Sequence, residues 1–201
     1  MSGNLDKLKS GLVAAKNLLS DEQFERADEV LALIRERGLE TVRLAFADQH
    51  GVLRGKTIVA DKVDSLFRNG MAMTSTLLLK DTSHRTVFSV WEESQNNGAG
   101  ELTGAGDVMI VPDPETFRQL PWSPHSGWLL CDVYYKDGRP FPHSPRGILR
   151  DAVSRLGQRG LDLVCGLEVE FYVFRVDDPR LEHTDGGMPA LPPETSLISH
   201  G

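Results

Sequence analysis

Two carboxylates set two residues apart in an apolar run are the first groups in this sequence whose type and spacing could do chemistry. They are Glu168 and Glu170, in Gly166-Leu167-Glu168-Val169-Glu170-Phe171-Tyr172-Val173-Phe174. Read as part of a long strand from Leu161 to Phe174, the period of two sorts the side chains. Leu161, Leu163, Cys165, Leu167, Val169, Phe171 and Val173 share one face. Val164, Gly166, Glu168, Glu170, Tyr172 and Phe174 share the other. The two carboxylates then point the same way, roughly 6.5–7 Å apart. Like charges this close among apolar neighbours are costly unless a cation compensates them. A hard divalent ion suits oxygen ligands and relieves the repulsion. The competing reading is a strand face open to water, with both glutamates solvated. Spacing alone leaves both readings open.

Other chemical motifs fail on spacing. Gly55-Lys56-Thr57 has the ending of a phosphate-binding loop, but that motif needs a glycine at position 50, which is His50; Gly51 falls one place late. The segment also lies inside an expected hairpin rather than between a strand and a helix. Gly98, Gly100, Gly104 and Gly106 miss the dinucleotide spacing and read as a flexible loop. The histidines at 50, 84, 125, 143, 183 and 200 show no metal-helix spacing, and no Gly-x-Ser-x-Gly marks a serine nucleophile.

The elements that must position the glutamates are legible from period and punctuation. Leu5, Leu8, Leu12, Ala15 and Leu19 recur at helical steps. Ser20 is a natural N-cap for a second helix with Phe24, Ala27, Val30, Leu31 and Ile34, stopped at Gly38. Val42, Leu44 and Phe46 then alternate as a strand, Asp48-Gln49-His50-Gly51 turns, and Val52–Val59 returns as the second arm of a hairpin. A short helix over Asp61–Asn69 ends at Gly70. Residues 71–93 are strand-like in parts (Leu77–Leu79, Val87–Val90), Gln95–Gly106 is loop, and Val108–Val111 is a strand. Pro112, Pro114, Pro121 and Pro124 suggest a boundary near 113–126. Beyond it lie a strand over Trp128–Tyr135 and a helix opened by Ser144-Pro145, whose Ile148, Leu149, Ala152, Val153 and Leu156 form one stripe. The last 27 residues, with Pro179, Pro189, Pro192 and Pro193, read as loop.

Composition bounds the whole. The chain has 201 residues, 40% apolar and 25% charged, as globular domains have. A net charge of −7 argues against a nucleic-acid partner, and no run approaches the ~18 apolar residues of a membrane span. The N-terminus lacks the apolar core of a secretion signal, and Cys131 and Cys165 form no CxxC. Reduced thiols in a cytoplasmic protein are the expectation.

Four ordered blocks carry a family resemblance across most of residues 42–174. Gly166–Phe171 followed by Phe174 resembles the Glu-x-Glu-Phe metal strand of the glutamine synthetase family. Phe46–Lys56 is similar to that family's first hairpin, and Gly106–Phe117 to its link out of a β-grasp domain. Cys131–Tyr134, Asp137-Gly138 and Ser144–Arg146 resemble the opening of its catalytic domain. The resemblance implies an ATP-dependent ligase that phosphorylates the side chain of glutamate and lets ammonia or another amine displace phosphate. It implies Mg²⁺ or Mn²⁺ as cofactor, with Glu168 on the nucleotide-side ion and Glu170 on the glutamate-side ion. It also implies active sites between neighbouring subunits of a homo-oligomeric ring.

The expected fold class is therefore α+β: an N-terminal helical segment (1–38), a β-grasp-like domain (39–113), and the truncated start of a catalytic α/β domain (114–201). Two departures qualify the expected function. The sequence stops before the family's further metal, substrate and nucleotide residues, so it reads as an N-terminal part. The stretch Asn69–Thr76, where glutamine synthetases carry an Asp-Gly-Ser-Ser loop that binds ammonium, has no acid. That leaves room for a bulkier amine, as in γ-glutamyl-amine ligases. The rival is a non-catalytic β-grasp module serving assembly or protein binding.

Overall fold

One strand of 12 residues, β6 (Ser123–Tyr134), runs through the middle of the main sheet and joins its two halves. The computed structural model describes residues 2–87, 91, 104–178 and 192–200. The fold is mixed α/β with a curled sheet. Its first half holds the hairpin of β1 (Thr41–Ala47) and β2 (Leu53–Val59), antiparallel from Thr41↔Val59 to Ala47↔Leu53. β1 pairs in parallel with the first part of β6, from Thr41↔Ser126 to Ala45↔Leu130. β4 (Asp107–Pro112) pairs antiparallel with the last part of β6, and β3 (Met71–Thr74) edges β4. The short β5 (Arg118–Leu120) folds back on the start of β6.

Helices cover the sheet. α1 (Ser2–Leu8) and α2 (Leu12–Ala15) precede α3 (Asp21–Glu36), and α4 (Val63–Asn69) follows the hairpin. The first helical stretch expected from the leucine spacing is thus two short helices. Gly11 explains the break: a Cβ there would lie 2.2 Å from the carbonyl oxygen of Arg68, so the chain bends where it crosses α4. α3 begins with a complete capping box, the Ser20 hydroxyl accepting from the Gln23 amide and the Gln23 side chain accepting from the Ser20 amide. Phe24, Val30 and Ile34 from α3 join Val42, Leu44, Phe46, Phe67, Ile110 and Leu129 in one core.

The main sheet runs on past residue 113, with β6 beyond that point and at its centre. Of the nearby prolines, Pro112 closes β4, Pro114 opens the 3₁₀ turn after it, and Pro124 lies in β6. Several expectations about single elements are corrected. Leu77–Leu79 is not strand; Ser75–Leu78 is a 3₁₀ turn burying Leu78. The helix α5 (Pro145–Gly157) forms as expected, with the Ser144 hydroxyl accepting from the Gly147 amide, but none of its residues is fully buried. Most of the expected strand Leu161–Phe174 is irregular: regular pairing is confined to β7 (Tyr172–Val176) against β8 (Thr195–His200). An extended segment holds strand form only where a neighbouring strand receives its backbone hydrogen bonds, and among the described residues none pairs with 161–171, where only the Leu161 amide bonds back to the end of α5. β8 also replaces part of the expected terminal loop. Residues 88–90, 92–103 and 179–191, which carry parts of the strand and loop expectations, lie outside the described residues.

Candidate functional site

Glu168 and Glu170 stand on the irregular segment between α5 and β7, both exposed. Their apolar neighbours are exposed with them, Val164 to 93% and Leu167 to 88%. The expected two-sided cover is absent among the described residues, so here the carboxylates face water. Among those residues no group of three or more His, Cys, Asp or Glu side chains gathers to hold a metal. The donor chemistry of the pair suits a hard cation, yet two carboxylates supply only part of a shell of six or more oxygens.

The stretch Asn69–Thr76 is held between α4 and β4. Gly70, at φ +65°, ends α4, and β3 runs from Met71 to Thr74. The Thr74 and Thr76 hydroxyls lie 3.0 Å apart, and the Ser75 hydroxyl is buried without a protein partner.

The hairpin turn is a built polar site. Asp48 accepts from the His50 and Val52 amides, each at 2.9 Å, and from Arg54 Nε at 2.9 Å. Burial pushes its carboxyl up, but Arg54 and the two amides outweigh that and hold it below the usual carboxylate range. Arg54 reaches on to His84 Nε2 at 3.2 Å, and His50 Nε2 meets the Lys80 carbonyl at 2.8 Å. The turn is thereby tied to residues 80–84.

A second polar cluster was not singled out by the sequence reading. Asp113, at the end of β4, and Asp132, in β6, face two arginines one turn apart on α5. Arg146 donates to Asp132 at 3.0 Å and to Asp113; Arg150 donates to Asp132 at 2.6 Å and reaches Asp113 at 3.4 Å. The acid side chains are only 8% and 12% exposed. The signal was available: Arg146 and Arg150 are spaced i, i+4 on a helix, and each aspartate lies within a quoted block. Beside the cluster, α5 and residues 140–144 enclose an open groove of about 570 Å³, floored by Val133, Tyr134 and Phe141. Burial and the neighbouring Asp132 push the Tyr134 phenol up. Of the cysteines, Cys131 is buried, with its thiol pushed up by burial, and Cys165 is exposed.

No family model matches the chain. Over 193 residues it is 37% identical to a γ-glutamylanilide synthase of an Acinetobacter species, covering 94% of this chain and 39% of the relative. It is 32% identical over 166 residues to a glutamine synthetase of Methanosarcina mazei, covering 80% and 33%. It is 34% identical over 153 residues to the γ-glutamylethanolamide synthetase GlnA4 of Streptomyces coelicolor, covering 74% and 31%. Among solved structures, a GmaS/ADP complex matches with a TM-score of 0.51 and 30% identity, over 65% of this chain and 26% of that one. The chain thus spans well under half the length of these relatives. No helix among the described residues is long and apolar enough to cross a membrane.

Proposed function

From a chain related to the glutamine synthetase family, we propose the N-terminal part of an ATP-dependent ligase that joins the side-chain carboxylate of glutamate to an amine. The observation that carries this reading is the 37% identity to a γ-glutamylanilide synthase along 94% of the chain. In the proposed reaction a glutamate carboxylate oxygen attacks the γ-phosphorus of ATP, releasing ADP. The amine nitrogen then attacks the γ-carbonyl carbon; phosphate leaves and the nitrogen gives up a proton. Mg²⁺ or Mn²⁺ supplies charge neutralisation on the phosphates and a template for the carboxylate. Glu168 and Glu170 are the proposed donors from this chain, one towards the nucleotide and one towards glutamate, their strand completed by polypeptide from elsewhere in the enzyme. The proposed assembly is a homo-oligomeric ring with active sites between neighbouring subunits. The proposed division is the 1–38 helical segment, a β-grasp-like domain over 39–113 and the start of a catalytic domain over 114–201, whose β6 joins the sheet of the domain before it. The proposed place of action is the cytoplasm.

The proposed acceptor is an organic amine rather than ammonia. The stretch Asn69–Thr76 supplies hydroxyls at Thr74, Ser75 and Thr76 and no carboxylate of its own to pair with an ammonium ion. The test is ATP-dependent phosphate release by the enzyme that carries this chain, with glutamate and a panel of amines. Faster release with at least one organic amine than with ammonia is expected. A clear preference for ammonia overturns the acceptor assignment. Release with no amine tested points to the rival non-catalytic module.

A further inference from the structure

The seat of α5 does not depend on a buried apolar face. The stripe expected to pack it is turned out: Ile148 is 56% exposed and Leu149 58%. Ala152 and Leu156 are only half-buried, and the groove beside the helix is open towards Phe141 and Ile148. Against that weak apolar contact stand four ion-pair contacts, each arginine engaging both aspartates. Asp132 lies in β6 opposite Val111, and Asp113 directly follows β4, its amide bonded to the Leu130 carbonyl. They are therefore fixed by the sheet itself, and the arginines by the helix.

We infer that Asp113, Asp132, Arg146 and Arg150 form an ionic clasp that is the principal attachment of α5, so that opening it releases the helix while the sheet stays folded. The ligase reading is not required for this. A helix of 13 residues freed from its support is marginal in water, so release appears as loss of backbone protection. The carboxylates are nearly buried and hold two guanidinium groups. Removing the charge of Asp132 without changing its shape leaves both arginines facing a neutral amide there and weakens two of the four contacts. α5 is also the last helix before residues 161–171, so the clasp holds the element that leads into the glutamate-bearing segment.

The test is hydrogen exchange on the 201-residue chain carrying Asp132→Asn, and separately Arg146→Gln, with Ile148→Ser as a control on the exposed stripe. In both clasp variants the amides of residues 149–157 should exchange at least tenfold faster than in the parent, with β1, β4 and β6 unchanged. Arg150→Lys, which keeps the charge but loses the fork, should fall between parent and Asp132→Asn. The control should leave α5 as it was. Unchanged α5 exchange in both clasp variants overturns the proposal, as does an equal acceleration in Ile148→Ser. Loss of protection across the sheet in step with α5 also overturns it, because the cluster would then belong to the stability of the sheet.

Discussion

Asp48 and Glu168 are both carboxylates, yet the structure gives them opposite environments. Asp48 is buried and holds three donors, two of them the backbone amides that shape the hairpin turn. Replacing it with alanine strips those donors of their acceptor, and should cost about 1–3 kcal/mol at neutral pH. The sign with pH follows from its lowered folded value. Its stabilising contribution is complete above the unfolded carboxylate range near ~4 and is lost as pH falls through the lower folded value. Chemical denaturation at pH 7 and again in strong acid should show the gap between parent and Asp48→Ala closing. Glu168 and Glu170, in contrast, are exposed, and the role proposed for them is to hold a metal ion. In the proposed enzyme, Glu168→Gln or Glu170→Gln should weaken Mn²⁺ binding and lower turnover by about two orders of magnitude or more. Mn²⁺ titration read by electron paramagnetic resonance, beside phosphate release, measures both effects. Unaltered metal affinity in both variants would reduce them to surface glutamates.

At the scale of elements, Gly11 shows how one residue splits a helix. Gly11→Ala drives a Cβ into the Arg68 carbonyl and forces α2 away from α4, which should lower stability by about 1–3 kcal/mol in thermal or urea unfolding. The sequence could not show this, because the leucine spacing of residues 5–19 is helical throughout and the obstacle comes from α4, distant along the chain. What was legible is what depends on neighbours in sequence. The hairpin announced itself through Val42, Leu44, Phe46 and the Asp48–Gly51 turn, and the two capped helices through Ser20 and Ser144-Pro145. The misread elements depend on partners. The alternation of Leu161–Phe174 is real, but a strand needs a neighbour, and only Tyr172–Val176 finds one in β8. The prolines from 112 to 124 do not decide a boundary by themselves, because proline marks turns equally between domains and within one. Of the candidate site, the Glu168–Glu170 pair rests on spacing and stays a proposal, whereas the Asp113–Arg150 cluster was not legible, since its members lie on three elements.

Taken whole, the molecule is lopsided: one well-buried core at the sheet and an apolar expanse on its C-terminal side. Val164, Leu167, Val169, Phe171, Phe174 and Ile198 are all more than half exposed. Exposed apolar surface of that extent, beside a two-stranded ribbon with open edges, favours association. The 201-residue chain on its own should therefore sediment as concentration-dependent oligomers, and a monodisperse monomer at tens of micromolar would show that the face is not adhesive. The parallel contact between β1 and β6 has a consequence for how the protein is made. Thr41 and Ser126 meet across 85 residues, so β1 waits, paired only with β2, while everything between is synthesised. At a typical bacterial or eukaryotic pace of about 5–20 residues per second, that wait lasts several seconds. During it, one apolar edge of β1 is a free template for wrong partners. Nascent chains stalled before Tyr134 should be the ones that chaperones hold, and the release of β6 from the ribosome is the moment at which the sheet closes.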